Sequence, residues 1–395
     1  MFDNMAVLQL PVNPLDEEQL KLKIKIINKI VPLGHQKGLL IYFGDVFPNY
    51  NSLFNQVKKN ILAYVPSDFI LTLHAPFSSH CPNRYLNFSL PESIVFFKQT
   101  IKLAEEIKAK SITVHFGTNY YQSSVDNSPE MLVWPYKDNN FDKIKEEIIF
   151  PAFENIKLLA NQTEIKIGVE NMPVPLKGNV TTNPKEIIYE PSFVTKEFFL
   201  LFANFFRDTP NVGLCFDTAH YGLARDSINK LLDDHEDNYI MNNQFTKFGY
   251  GPLYPGNFSI QPSMCDLIKE FIFMGGRVFD VQLVDYGQIW KPERKEKNDD
   301  GQILEEGLGL LEGLSGKEIL DVGKFINNLD NNIPISFDIE VENFLEPVKQ
   351  VSAALIYIDF IGGKLDVDFS FNHKNKNLVS SYYEKAKKII SNISL

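Results

Sequence analysis

Six apolar segments of this 395-residue chain each end in a side chain that can bind a metal ion, and this pattern constrains the fold most. In chain order the segments are Phe69–His74, Ser111–His115, Ile165–Glu170, Val212–Asp217, Val278–Gln282 and Ile333–Glu340. Short apolar runs of this kind predict buried strands. A barrel of parallel strands gathers the carboxyl ends of its strands on one face. The pattern therefore predicts that these six end residues converge on one site.

Two further apolar runs, Met5–Pro11 and Gly38–Gly44, complete a set of eight strands. Helical periodicity fills the gaps over Asp16–Val31, Pro91–Lys108, Phe141–Ala160, Ser192–Phe206, Gly316–Leu329 and Leu345–Phe360. Strands that alternate with helices imply a parallel sheet, and eight such units imply closure. We therefore predict one (β/α)8 TIM barrel over residues 1–362. Residues 363–395 are expected to form a C-terminal extension, with a helix over Ser380–Ile393, packed outside the barrel.

Three connections, Thr118–Asn140, Tyr221–Cys265 and Tyr286–Ser315, are too long for simple turns. Each follows a strand, so the three are expected on the same face as the metal-type residues. Connections of this length are usually lids or binding loops.

These long connections contain candidate substrate contacts. Trp134 and Trp290 are the only tryptophans of the chain, and either could stack on a sugar ring or simply pack within a lid. Lys291 begins a basic run that could bind a substrate phosphate or carboxylate. A solvated charge run is the more ordinary interpretation, since Glu293 and Glu296 interrupt it.

Composition limits the classes of partner. Hydrophobic residues make up 44% of the chain, which excludes general disorder. The net charge of −11 disfavours a broad nucleic-acid interface, which needs a basic face. No apolar run approaches the ~18 residues of a membrane span, and no secretory leader is apparent. We expect a cytoplasmic protein with a small-molecule substrate and with neither nucleic acid nor membrane as partner. A homo-oligomer is left open.

Two local motifs contain the carboxylates of the expected site. In Asp217-Thr-Ala-His220, the aspartate and the histidine one turn later could bind one cation or two. The alternative is a helix N-cap followed by a buried histidine, because Asp is a favoured N-cap. Glu170 and Glu340 end apolar strands, where a carboxylate is expensive to bury unless it is paired or metal-bound. A salt bridge in the barrel mouth is the alternative for both glutamates.

The remaining candidates are His74, His115 and Gln282. The two histidines end neighbouring strands at matching positions, although a lone strand histidine is more often a hydrogen-bonded core residue. Gln282 stands where the pattern requires another ligand, and Asp285 and Gln302 could assist it. A mixture of His, Glu, Asp and Gln donors suits Mn²⁺, Fe²⁺, Zn²⁺ or Mg²⁺.

The ordered set of His74 in Leu-His-Ala-Pro, His115 in Val-His-Phe-Gly, Glu170 in Val-Glu-Asn, and Asp217-Thr-Ala-His220 resembles the xylose-isomerase-like barrel superfamily. That superfamily includes sugar and sugar-phosphate isomerases and epimerases, and the endonuclease IV family of abasic-site nucleases. The resemblance to the epimerase branch implies one divalent metal on Glu170, Asp217, Gln282 and Glu340. Gln282 replaces the histidine of that branch, and the two glutamates would exchange protons with the substrate carbon.

The resemblance to the nuclease branch implies three zinc ions, for which His74, His115 and His220 match the expected ligands. The later Asp-x-His of that branch is absent, and Asp300-Gly-Gln302 is the nearest equivalent. A third branch, the multinuclear iron oxygenases, shares the early histidines but also expects the missing ones.

These observations lead us to expect a metal-dependent isomerase or epimerase of a sugar or sugar-phosphate-like substrate. Glu170 and Glu340 would transfer the proton. Glu170, Asp217 and Glu340 would hold the metal, and His115, His220 or Gln282 would complete its shell. A second metal near His74 and His115 is the less favoured arrangement.

Two alternatives to this enzyme remain. One is a divergent phosphoesterase of the nuclease type. The other is a metal-depleted barrel that binds a metabolite or a protein. Gln282 keeps this alternative in play, because it replaces an expected histidine ligand.

Overall fold

The computed structural model describes residues 6–42, 50–75, 88, 91–116, 120–122, 131–133, 145–171, 195–234, 259–290, 302–330, 332–337, 347–365 and 372–394. Its strands are β1 (Val7–Val12), β2 (Lys37–Ile41), β3 (Ile70–His74), β4 (Ser111–His115), β5 (Tyr120–Gln122), β6 (Met131–Val133), β7 (Lys166–Glu170), β8 (Val212–Asp217), β9 (Val278–Gln282), β10 (Asp285–Trp290), β11 (Gln302–Leu308) and β12 (Pro334–Ser336). Its helices are α1 (Glu17–Ile30), α2 (Tyr50–Tyr64), α3 (Pro91–Glu106), α4 (Phe150–Ala160), α5 (Lys196–Phe205), α6 (Thr218–Asp234), α7 (Met264–Phe273), α8 (Gly316–Leu329), α9 (Val348–Ile361) and α10 (Asn372–Ser394). A π-helical turn, Lys145–Ile149, leads into α4.

Eight of the strands form a closed parallel barrel in the order β1-β12-β9-β8-β7-β4-β3-β2. Strand β1 closes the barrel, because it pairs with β2 on one side and with β12 on the other. Helices separate most of the successive barrel strands, as expected of βα units. The predicted (β/α)8 barrel is therefore confirmed. The described part of the eighth barrel strand, β12, is three residues long.

The amphipathic pattern of the sequence accounts for the outer helices. In α1, Leu20, Ile24 and Ile27 are buried against the barrel. The helix begins where Asp16 accepts a 3.0 Å hydrogen bond from the Gln19 amide, a side-chain N-cap.

An aromatic cluster lies at the centre of the α4–α5 packing. Phe153 is fully buried, and its ring centre lies 5.1–6.0 Å from those of Phe116, Phe198, Phe202, Phe205 and Phe206. Edge-to-face and tilted contacts of this kind add to the hydrophobic stabilisation.

The long connections differ from the predicted loops. Residues 118–140 include the antiparallel pair β5–β6, and residues 286–315 include most of the antiparallel pair β10–β11. The two ends of Tyr221–Cys265 are helical, because α6 extends to Asp234 and α7 begins at Met264. The prediction of a long binding loop here was therefore wrong over those residues. Helix α2 was also not anticipated by the sequence pattern.

Gly222 lies inside α6 and has a packing role there. Glycine inside a helix lowers its stability by about 1 kcal/mol relative to alanine, so its presence needs a structural reason. A Cβ atom at this position would lie 2.0 Å from Cε1 of Tyr286. The glycine therefore permits the Tyr286 ring of β10 to pack directly on the backbone of α6.

Helix α10 packs on the outside of the barrel against α1 and α9. Val379, Tyr382 and Ala386 are buried in this contact. The Tyr382 hydroxyl donates a 2.7 Å hydrogen bond to the Asp359 carboxylate of α9. Among the described residues, no helix combines the length and the apolar character that a bilayer span requires.

Candidate metal centre

Five consecutive barrel strands end in candidate ligands. Around the barrel, β3, β4, β7, β8 and β9 end in His74, His115, Glu170, Asp217 and Gln282, respectively. The strand register places His115 directly opposite Glu170, and Asp217 directly opposite Gln282. The parallel sheet thus brings together side chains that are more than 200 residues apart in the sequence.

Glu170 is the centre of the group. Its Oε2 atom lies 3.2 Å from His74 Nε2, 3.3 Å from His115 Nε2 and 3.3 Å from Gln282 Nε2. Its Oε1 atom lies 3.4 Å from His220 Nδ1. Its side chain is only 2% exposed, whereas that of His115 is 15% exposed, so His115 forms the more accessible side of the group.

The tautomer of His74 is fixed by its other ring nitrogen. Nδ1 lies 3.1 Å from the carbonyl oxygen of Ala75, which can only accept a hydrogen bond. Nδ1 therefore carries the proton, and a neutral His74 ring presents a lone pair from Nε2 to the Glu170 carboxylate. At 3.2 Å, the Nε2 lone pair and the carboxylate oxygen repel each other unless Nε2 is protonated or a cation lies between the two atoms.

His220 has the same kind of anchor. Its Nδ1 lies 2.8 Å from the carbonyl oxygen of Asn171, so Nδ1 is the donor and Nε2 of the neutral ring is the ligand atom. A main-chain carbonyl that orients an imidazole in this way is typical of metal-binding histidines.

Asp217 combines the two interpretations of its sequence motif, helix N-cap and candidate metal ligand. Its Oδ1 atom accepts a 2.8 Å hydrogen bond from the His220 amide, so it caps helix α6. The same carboxylate lies with Glu170 and His220 in a group whose ligand atoms are all within 4.8 Å of one another. Because a carboxylate has two oxygens, capping and metal binding are compatible at this residue.

Asn171 is a positioning residue that the sequence pattern indicated only as the neighbour of Glu170. Its Nδ2 donates to the Asp217 carbonyl at 2.9 Å, and its Oδ1 accepts from the Asp217 amide at 2.8 Å. This reciprocal pair joins the ends of β7 and β8. The two acidic residues at those ends, Glu170 and Asp217, are therefore held in a fixed relation.

Gln282 takes part as a hydrogen-bond donor. Its amide nitrogen donates to Glu170 and lies 3.7 Å from the Cys215 sulfur. A glutamine binds metals through its oxygen, so this orientation stabilises the Glu170 carboxylate and does not itself present a ligand atom. Burial raises the pKa of the Cys215 thiol well above its usual value, so the thiol stays protonated.

The electrostatics of the group favour the metal-binding forms of its members. Burial lowers the pKa of His115, although Glu170 partly offsets this effect, so the ring is neutral near pH 7. Burial alone would raise the pKa of Glu170, but His115 and His74 outweigh it and hold the pKa well below its ordinary value. Positive charge on these rings, or on a cation in the place of their protons, is therefore what keeps the buried Glu170 carboxylate ionised.

The donor set fits a divalent metal. Two ligand groups overlap at Glu170: His74, His115 and Glu170 form one, and Glu170, Asp217 and His220 form the other. Ligand atoms about 2.1 Å from a shared ion lie roughly 3.0–3.4 Å apart. The Nε2 atoms of His74 and His115, at 3.2 and 3.3 Å from Glu170 Oε2, match this spacing. Imidazole and carboxylate together suit Zn²⁺, Fe²⁺ or Mn²⁺.

Four predicted residues do not contribute to this description. Glu340, Trp134 and Lys291 lie outside the described residues, and Trp290 is described only through its backbone at the end of β10. Asp285, suggested as an assisting ligand, instead accepts hydrogen bonds from the amides of Tyr286, Gly313 and Ser315 at 2.9–3.2 Å. Its carboxylate organises the turn after β11. Burial nevertheless raises the pKa of Asp285 to about 7.

No protein-family profile and no curated protein matches the sequence. The solved structures to which the chain is similar include a D-tagatose 3-epimerase-like protein, at 18% identity and a TM-score of 0.46, over 90% of this chain and 99% of that one. They also include endonuclease IV from Thermus thermophilus, at 13% identity and a TM-score of 0.45, over 90% and 99% of the two chains. A xylose isomerase domain protein from Planctomyces limnophilus has 12% identity and a TM-score of 0.44, over 91% and 97%.

Proposed function

We propose that the protein is a divalent-metal-dependent isomerase or epimerase of a small sugar or sugar-phosphate-like substrate. The observation that carries this proposal is the buried Glu170 carboxylate, with His74, His115, His220 and Gln282 around it at the carboxyl end of the barrel. In barrels of this architecture, that end is where catalytic residues lie.

A bound divalent ion would polarise the carbonyl and hydroxyl oxygens of such a substrate and stabilise the negative charge that develops on them. Within the chain, the imidazoles of His74 and His220 are oriented by main-chain carbonyls, so they hold fixed positions. Glu170 is our candidate for the group that accepts a proton from a substrate carbon. Glu340 is our candidate for the second proton-transfer group, from its place in the sequence.

The contacts of the β10–β11 pair at the barrel mouth favour the proposal of a small substrate. The β10–β11 pair follows β9, so it stands at the same end as Glu170. The Tyr286 hydroxyl donates to Asp226 of α6 at 2.5 Å, and Arg225 Nη2 donates to the same hydroxyl at 3.2 Å. Arg225 also contacts both carboxylate oxygens of Glu318 at 2.5 and 2.6 Å. These contacts fix the β10–β11 pair to α6 and α8 at one side of the mouth.

The test is conversion of a panel of aldoses, ketoses and their phosphates by metal-reconstituted protein in D₂O, followed by ¹H NMR. We expect one substrate to change configuration or carbonyl position, with activity lost after chelation and in Glu170→Gln. The matched control is Glu164→Gln, the same substitution at an exposed residue just before β7, and it should retain activity. Protein that takes up no divalent ion would overturn the proposal.

One observation favours a second candidate, metal-assisted phosphoester hydrolysis. Glu170 belongs to both ligand groups, and a shared carboxylate is what a two-metal site requires. Sites of that kind stabilise both the attacking and the leaving oxygen of a phosphoester. The overall charge argues against a nucleic-acid substrate, since phosphate contacts provide most of the affinity for duplex DNA.

We therefore expect no efficient incision of an abasic-site duplex at low salt by metal-loaded protein, because a chain of net charge −11 repels the DNA backbone. Gel analysis of an end-labelled duplex measures this directly. Robust incision that disappears in Asp217→Asn, while the sugar panel stays unchanged, would replace the isomerase proposal by the nuclease one.

A further inference from the structure

A cavity of about 300 Å³ lies at the end of the barrel opposite to the metal centre. Its walls include Lys110, just before β4, Lys166, at the start of β7, and Arg277, just before β9. Strand β7 runs from Lys166 in this cavity to Glu170 in the metal centre, four residues or about 13 Å away. The two sites are therefore separate.

The basic side chains are held in place by uncharged groups. The Lys110 ammonium donates to the carbonyl oxygen of Asn332. The Lys166 ammonium lies over the ring of Phe279, 5.0 Å from its centre. Arg277 donates to the carbonyl oxygens of residues 206 and 207 at 3.4 and 3.0 Å. These contacts orient the three cations without neutralising them.

Acidic compensation is partial, since the Asp330 carboxylate interacts with the charges of both Lys110 and Lys166, and Asp280 interacts with that of Lys110. Among the described residues that line the cavity, Asp330 is the only acid. Its Oδ1 atom already accepts from the amide and the side-chain nitrogen of Asn332, each at 2.9 Å. Burial and the charge of Lys166 lower the pKa of Lys110, and the charges of Asp330 and Asp280 offset this only in part. Two ammonium groups thus repel each other in a partly enclosed space, within a protein whose net charge is −11.

We propose that this cavity binds a phosphate dianion, either as inorganic phosphate or as the phosphoryl group of a small metabolite, between Lys110 and Lys166. Ammonium groups are strong phosphate donors, and a dianion would relieve their mutual repulsion. The volume stands at the lower end of the roughly 300–1,000 Å³ of small-ligand sites, so it accommodates a small phosphorylated molecule. Arg277, which also lines the cavity, adds positive potential.

The test is thermal denaturation of chelator-treated protein in increasing inorganic phosphate, with sodium chloride of equal ionic strength as the reference. Chelation removes any metal at the opposite end of the barrel that could itself bind phosphate. A ligand that binds only the folded state raises the melting temperature with concentration. We expect that rise in the wild type, together with a broadened ³¹P signal, and at least a tenfold weaker response in Lys166→Met.

Lys157→Met is the matched control, since Lys157 is also half-buried and lies over a phenylalanine ring, that of Phe205, but does not line the cavity. It should respond to phosphate as the wild type does. Lys110→Met should lose the response too. If that variant fails to fold, Lys166→Met alone decides.

A response that survives in Lys166→Met, or one that chloride reproduces, overturns the proposal. Repeating the titration with glucose 6-phosphate distinguishes inorganic phosphate from a phosphorylated metabolite as the ligand. A stronger response than to phosphate identifies a phosphorylated metabolite, and an equal or weaker one identifies the free anion.

Discussion

Glu170→Gln is expected to lower the affinity of the protein for divalent metal by more than about 100-fold. Loss of a residue that only orients a metal ligand costs up to about 100-fold, and Glu170 is itself a candidate ligand. Glu170 belongs to both candidate ligand groups, so its neutralisation removes an anionic donor from each. The Gln282 amide would also lose the charged acceptor that it now contacts at 3.3 Å. Elemental analysis of protein dialysed against limiting Zn²⁺ or Mn²⁺ measures the change.

Glu164→Gln serves as the control for this experiment, because it removes the same charge from an exposed residue. Its metal content should equal that of the wild type. Unchanged stoichiometry in Glu170→Gln would show that the metal, if any, binds elsewhere. Circular dichroism of both variants separates loss of metal from loss of fold.

Phe153→Ala is expected to reduce the free energy of unfolding by about 3–5 kcal/mol, the usual range for deleting a buried aromatic ring. Phe153 is fully buried, and five phenylalanine rings surround it, so none of them can fill the vacated volume without leaving another contact. Denaturant unfolding monitored by circular dichroism provides the measurement.

Phe273→Ala is the matched control, since the Phe273 side chain is 87% exposed at the end of α7. It should change the free energy of unfolding by less than about 0.5 kcal/mol, as surface substitutions usually do. Equal losses in the two variants would mean that the α4–α5 cluster does not stabilise the barrel as described.

The sequence predicted the barrel well because its strands are buried on both faces. Such strands form continuous apolar runs, and a polar residue at the end of a run marks the strand end. His74, His115, Glu170, Asp217 and Gln282 were located in this way, and each is the last residue of its strand. The parallel topology then made their convergence a geometric consequence.

Other features of the structure depend on long-range contacts, which the periodicity of the sequence does not indicate. The β10–β11 pair joins Trp290 to Gln302 across an intervening segment, and no local signal indicates that pairing. The role of Glu170 as the centre of the group depends on its register opposite His115 and on the clamp from Asn171. A linear pattern ranks all the candidate ligands alike, whereas the folded sheet distinguishes the central one.

The close packing of Tyr286 on Gly222 has a consequence for how this chain could diverge. Gly222 lies two residues after His220, so a candidate metal ligand and the hairpin wall meet on one turn of α6. A larger residue at position 222 would displace either the helix or the hairpin. We expect relatives that replace Gly222 also to replace Tyr286 by a smaller residue. Paired changes at these two positions would then identify lineages in which the wall of the mouth, and with it the choice of substrate, has been rebuilt.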